Sequence, residues 1–163
     1  MFTVERLLPE HGPAVLEFER ENRAFFAASV SDRGDAYFAE FEERHRALLA
    51  MQEAGTDHFH VVVDDGGAVV GRVNVVEVAD GSAELGYRVA RSVGGRGVAT
   101  TAVRAVLELS ASVYGLRSLR AVTTVDNVAS RAVLARVGFV ESGEELVAGR
   151  PGLRFRRELR DAR

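Results

Sequence analysis

The sequence predicts a mixed α/β (α+β) fold, with a mostly antiparallel central sheet flanked by helices. Three observations carry that reading. Two stretches of helical spacing lie between residues 13 and 54. Three β-rich runs separated by Asp-Gly turns follow between residues 58 and 89. Beyond them helices and strands alternate, which requires a crossover between two strands. With 163 residues, 47% of them hydrophobic and 28% charged, the chain reads as one domain over 1–163 with a real core.

Each element follows from local signals. "TVERLL" (3–8) is the first strand, closed by Pro9 and Gly12. Residues 13–28 form a helix that starts at Pro13, since proline is tolerated in a first turn. It carries Val15, Leu16, Glu19, Phe25 and Phe26 at mixed helical spacing, and Ser31–Gly34 breaks it. The next helix places Tyr37, Phe38, Phe41, Leu48 and Met51 in one stripe, with Gly55 as its stop. Strands at 58–63, 68–78 and 83–89 form an antiparallel meander. From Gly97 to Gly115 the pattern is helical, with Val98, Ala102, Val106, Leu109 and Val113 on one face and Gly115 as the cap. Residues 118–125 are a strand, parallel to 83–89 through a right-handed crossover. "DNVASRAVLARVG" is a short helix capped by Asp126 or Asn127, with Val133, Leu134 and Val137 inward and Gly138 as stop. "GFVESGEEL" and "GLRFRREL" supply the last two strands, and "RRELRDAR" reads as a frayed, solvated tail.

Composition excludes several classes of function. A net charge of −3 argues against non-specific nucleic-acid binding, so no nucleic-acid partner is expected. The absence of cysteine removes disulfides, Cys-ligated zinc and thiol nucleophiles, and no metal is expected. "MFTVERLLPEHGPAV" does not read as a secretory signal. No run approaches the roughly 20 apolar residues of a membrane span, so no membrane partner is expected and the default location is the cytoplasm.

The stretch "RSVGGRGVATTAV" (91–103) joins a strand to a helix start and holds Gly94, Gly95 and Gly97. Glycine lets backbone N–H groups turn toward a ligand with no Cβ in the way. The free amides of the following first turn favour an anion, and a phosphate or pyrophosphate is the natural guest. The plain alternative is a flexible turn. A P-loop is excluded because no lysine follows; the chain contains none. A dinucleotide fingerprint starting at Gly95 would put Thr100 where Gly or Ala belongs, although Asp126 after the next strand keeps that reading open.

"AELGYRVARSVGGRGVATTAV" followed by "VDNVASRAVLARVGF" resembles the Gcn5-related N-acetyltransferase (GNAT) family, and within it the ribosomal-protein acetyltransferase-like (RimJ/RimL-type) branch. "GY" (86–87) precedes "GRG" (95–97) by seven residues. "GRGVA" is similar to the family's G-x-G-x-A turn. Asn127, Ser130, Leu134, Gly138 and Phe139 match an N-x-x-S-x-x-x-L-x-x-x-G-F segment. The resemblance covers residues 57–140 well, and the order β–α–α–β–β–β–α–β–α–β–β suits the whole chain. Two positions depart from the pattern: Ser92 stands where the family commonly has Gln or Arg, and Gly94 where it has Arg, Gln or Lys.

The resemblance implies acetyl-CoA as co-substrate, a primary amine as acceptor, and a sheet splayed between its fourth and fifth strands. Cofactor contacts are expected from Val89, Arg91, Ser92, Val93, Gly94, Gly95, Arg96, Gly97, Val98 and Ala99, mostly through the backbone, and from Asn127 and Ser130. Val89 and Arg91 are the expected backbone partners of the pantetheine arm, and an amide near Val89 would polarise the thioester carbonyl. Glu84 shares a strand face with Gly86 and is the expected base; otherwise it is an exposed strand glutamate. Ser130 is the expected acid for the departing thiolate; otherwise it is a solvated first-turn serine. Asn127 caps its helix on either reading. His58 and His60 are rival bases or half-buried strand residues. Direct attack is implied, since no cysteine exists to carry an acetyl group.

The acceptor site is expected from "ENRAFFAASVSDRGD" and the last hairpin. Asn22, Arg23, Phe25, Phe26 and Arg33 are its candidates, and Glu21, Asp32 and Asp35 could attract a cationic amine. Acceptors range from a protein N-terminus to a small amine, and a homodimer is compatible with all of them. A catalytically silent acyl-CoA-binding domain and a nicotinamide dinucleotide enzyme are the alternatives.

Overall fold

A computed structural model describes residues 1–159. The chain runs β1 (Phe2–Arg6), α1 (Gly12–Glu21), α2 (Arg23–Ala27), α3 (Asp35–Ala39), α4 (Phe41–Ala54), β2 (His58–Asp64), β3 (Val69–Ala79) and β4 (Ser82–Val89). It continues with α5 (Val98–Ser112), β5 (Ser118–Thr124), α6 (Val128–Arg136), β6 (Val140–Val147) and β7 (Arg150–Glu158). The strands form one sheet in the order β1-β2-β3-β4-β5-β7-β6. Every neighbouring pair is antiparallel except β4–β5. The meander, the parallel crossover and the paired last strands match the sequence reading. Among the described residues no helix is long and apolar enough to cross a membrane.

Alternation along the strands assigns the two faces of the sheet. Tyr87 reaches Ser130 on α6, whereas Arg88 reaches Glu19 on α1. The face of Leu85 and Tyr87 is therefore covered by α5 and α6, and the face of Glu84, Gly86 and Arg88 looks toward α1 and α2. The core sits on both sides: Val73, Val75, Val103, Val106 and Leu119 are fully buried, as are Val15 and Val61.

Several boundaries differ from expectation. The helix expected over 13–28 divides at Asn22, whose backbone (φ −103°, ψ 8°) leaves the helical region. Its Nδ2 donates to the Phe18 carbonyl, and its Oδ1 accepts from the Arg91 N–H at 3.0 Å. The second helix divides similarly at Glu40. Met51 is exposed, and His45 and Gln52 are buried instead. Gln52 bridges the Leu7 carbonyl and the Phe59 N–H, so a polar side chain fills the inward position. Helix α5 ends before Val113, which is 66% exposed, and Gly115 lies beyond the cap. The tail expected from Arg156 is strand through Glu158, because β7 pairs with β5 to that residue; 160–163 lie outside the described residues.

Candidate active site

The glycine stretch folds as a 3-10 turn (Arg91–Val93) followed by an open loop into α5. Val93 and Val98 are buried and pin both ends of the loop to the core. Gly95 and Gly97 hold φ of 76° and 75°, a region that side chains rarely adopt. A Cβ at either would meet nothing within 4 Å, so conformation rather than space demands glycine. No backbone or side-chain acceptor among the described residues takes the N–H groups from Gly95 through Thr100. They form a fan of donors at the positive end of a 15-residue helix. Gly94, Gly95, Arg96 and Gly97 are exposed, as is Ser92, while Ala99 is half-buried.

Three expected backbone contacts are already occupied. The Val93 and Gly94 amides donate to Ala90 and Arg91 carbonyls at 3.1 Å, closing the 3-10 turn. The Arg91 N–H is held by Asn22, so Arg91 leaves the list of pantetheine partners and Asn22 becomes the anchor of the loop.

Register explains the cleft beside this loop. The Ala90 N–H bonds the Val70 carbonyl at 2.8 Å, and Val89 faces Gly71. Backbone groups alternate sides along a strand, so those of Leu85, Tyr87 and Val89 turn away from β3 toward β5. Yet β5 pairs with β4 only from Ser82↔Ser118 to Glu84↔Arg120. Past that pair the edge groups meet no strand, and a cavity of about 610 Å³ opens. It is lined by Gly86, Tyr87, Asn127 and Ser130, by residues 29–31 after α2, and by residues 147 and 148 of the last hairpin.

Asn127 caps α6, its Oδ1 accepting from the Ser130 N–H at 3.2 Å. Ser130 Oγ lies 3.0 Å from the Tyr87 hydroxyl. Burial pushes the Tyr87 phenol above its ordinary value, so it remains a donor at neutral pH. In the sequence Tyr87 stands out only as part of the "GY" motif. A buried tyrosine hydroxyl that needs a partner is the signal that would have found it.

Glu84 occupies the last β4–β5 pair, at the apex of the splay, and does not line the cavity itself. Its carboxylate stands 3.8 Å from Arg120 Nε. Burial pushes its pKa up and outweighs the lowering by Arg120; Glu77 and Glu145 push the same way as burial.

The N-terminal candidates are mostly committed elsewhere. Arg23 pairs with Asp32 and Asp35, which removes those acids as attractors of a cationic amine; Arg23 holds the Asp32 carboxyl down at about 2. Arg33 binds buried Glu19, Phe26 is core, and Phe25 and Glu21 are exposed. His58 and His60 are both buried rather than half-buried. His60 is tied between the Val73 carbonyl and the Tyr114 hydroxyl, and burial lowers its pKa to about 4. That position, on the α5 side of β2, takes it out of contention as a base.

Comparisons with known proteins agree with this geometry. A protein-family model described as an acetyltransferase (GNAT) domain matches residues 4–140. A probable N-acetyltransferase of Bacillus subtilis (strain 168), YjcK, is 26% identical over 134 residues, covering 78% of this chain and 74% of the relative. The crystal structure of the ribosomal-protein-S5-alanine acetyltransferase of Vibrio fischeri superposes with a TM-score of 0.92 at 20% identity, covering 99% of this chain and 95% of the other. RimJ of Mycobacterium smegmatis, solved with a CoA-disulfide, gives a TM-score of 0.86 at 23% identity, with 96% and 81% covered.

Proposed function

The chain belongs to the acetyltransferase (GNAT) domain family, and from that membership we propose that it acetylates a primary amine by direct attack within the β4–β5 cleft. The observation that carries the reading is the fan of free amides from Gly95 to Thr100 opening beside a strand pair that separates after Glu84↔Arg120. Acetyl-CoA, the family's co-substrate, supplies the activated acetyl group and a thiolate leaving group. The donor fan matches a pyrophosphate in charge and chemistry, and the unpaired strand edge matches an amide-rich arm.

Each residue then has a defined task. The amides at the start of α5 bind the diphosphate. The edge groups of Tyr87 and Val89 pair with the pantetheine amides. One such strand N–H polarises the thioester carbonyl, a contribution of about 10²–10³ in rate. Gly86 leaves room for the acetyl group beside the cavity. Glu84 takes the proton that the amine loses as its nitrogen bonds the carbonyl carbon, directly or through a water. As the carbon–sulfur bond breaks, the sulfur receives a proton from Ser130, which Tyr87 orients through their shared hydrogen bond. The RimJ/RimL-type acceptor, a protein N-terminal amine, draws support from the folds of the neighbours.

Two measurements test this. Coenzyme A is expected to raise the melting temperature, and acetyl-CoA with a panel of amines is expected to release free thiol. Stabilisation by coenzyme A without thiol release from any amine would replace this reading with a silent acyl-CoA-binding domain.

A further inference from the structure

On the face of β4 toward α1 and α2, three arginines converge on one buried acid, Glu19, while Glu84 farther along the same face lies beside Arg120. Arg72 on β3 and Arg88 on β4 are direct register partners. Like charges opposite each other across a ladder are destabilising. Glu19 lies between them, 1% exposed. Its Oε2 accepts from Arg72 Nη1 at 2.8 Å and Arg33 Nη2 at 3.1 Å. Its Oε1 accepts from Arg33 Nε at 2.9 Å and Arg88 Nη1 at 3.3 Å. Three guanidinium groups thus share one carboxylate, while Asp32 of the adjoining loop and Asp35 at the start of α3 are taken by Arg23.

Arg88 has the weakest hold of the three. Its Nε and Nη2 have no hydrogen-bond partner among the described residues. The guanidinium lies over the Phe26 ring, 4.6 Å from its centroid, and the side chain is 23% exposed. Burial and the neighbouring Arg33 push its pKa down, as expected of a cation short of a counter-ion. A second feature lies beside it. Asn74 is the register partner of Gly86, and its Oδ1 is buried with no hydrogen-bond partner. An orphaned buried amide oxygen is costly unless a ligand donates to it. Gly86 and Arg88 are two residues apart on one strand face, roughly 7 Å.

We infer that this face is the acceptor subsite and that the acceptor is a primary amine bearing a carboxylate. Arg88 grips the carboxylate through its free edge, and Asn74 Oδ1 accepts an N–H near the reacting nitrogen. The inference rests on the acetyltransferase reading of the same site. A free amino acid and a peptide with an acidic residue near its N-terminus share the required chemistry, whereas a polyamine meets like charge.

The test measures kcat and KM on matched acceptors: an amino acid against its C-terminal amide, a peptide with Asp at its second position against the Asn peptide, and spermidine. The carboxylate forms are expected to lead by about 10- to 100-fold in kcat/KM, mainly through KM. The amino-acid and peptide arms separate the two sources. Arg88→Gln is expected to bring the matched ratios near one, and Arg88→Lys to restore only part, because lysine lacks the fork. Glu19 keeps Arg33 and Arg72 in the variant, and an unchanged CoA-dependent melting shift verifies its fold. Equal rates within each matched pair, or a preference for spermidine, overturn the inference and leave the acetyltransferase reading standing. If no amine is acetylated, that reading fails and binding decides the inference. With coenzyme A present, the carboxylate amine must then raise the melting temperature of the wild type and not of Arg88→Gln; no such difference overturns it.

Discussion

Glu84 and Ser130 face tasks of unequal difficulty. Near neutral pH an amine of pKa ~7.7–10.4 is still largely protonated and must give up a proton to form the amide, whereas a thiolate whose thiol has a pKa of ~8.5 leaves fairly well unaided. Glu84→Gln is therefore expected to lose about 10²–10⁴ of kcat/KM, and Ser130→Ala much less. Equal or reversed losses would reject this assignment of roles. Tyr87 adds a refinement. It shares a hydrogen bond with Ser130, so Tyr87→Phe and Ser130→Ala are expected to be non-additive, the double variant losing little more than the worse single one. Glu84 also sets a pH signature. Its pKa is raised by burial, so the ionised base disappears as pH falls through that raised value. The acid limb of kcat/KM is expected above the ordinary glutamate range, to move higher in Arg120→Gln, and to be absent in Glu84→Gln. A pH–rate profile of the three proteins checks all of it.

At the scale of elements, the turn before α5 works through backbone direction. Gly97 is the N-cap of the helix and holds a left-handed conformation. A β-branched residue there costs at least about 1–2 kcal/mol and turns the donor fan aside, so Gly97→Val is expected to weaken CoA binding about tenfold or more. Ser92→Ala, which alters an exposed side chain, is expected to change it less than about twofold. Titration calorimetry with coenzyme A measures both. This turn was legible in the sequence because its signals are local: glycines after a strand, then the apolar period of a helix. The same holds for the Asp-Gly turns of the meander and for the Asn127 cap. What escaped the sequence is non-local. Asn22 breaks its helix partly to hold the Arg91 N–H, 69 residues away. Glu19 reads as one more position of an amphipathic helix, and only the fold brings Arg72 to it from 53 residues away. The end of β4–β5 pairing at Glu84↔Arg120 has no sequence period at all, because it depends on where two strands diverge.

At the scale of the whole molecule, the buried histidines and the cleft impose opposite pH preferences. His60 has a pKa of about 4 in the fold against an ordinary 6.5, because burial disfavours its charged form by more than the bond to the Val73 carbonyl favours it, and Arg6 and His58 lower it further. The unfolded chain thus binds this proton more readily than the native one. The stabilising contribution is complete above pH 6.5 and is lost as pH falls toward 4. The difference corresponds to about 3 kcal/mol, a large share of a domain's stability. His58 is lowered by burial as well and adds in the same direction. Glu19, lowered by Arg33 and Arg72 against its desolvation, acts in a separate window below its ordinary 4.5. Glu84 runs the other way: its raised pKa favours the folded state at low pH, and that advantage fades as pH rises. Urea unfolding at pH 7, 5 and 4 is expected to show the wild type losing about 3 kcal/mol across the range at constant m-value. His60→Phe is expected to start lower at pH 7, having lost both ring hydrogen bonds, and to fall less than half as far by pH 4. A variant curve parallel to the wild type would mean that the acid sensitivity of the fold lies outside His60.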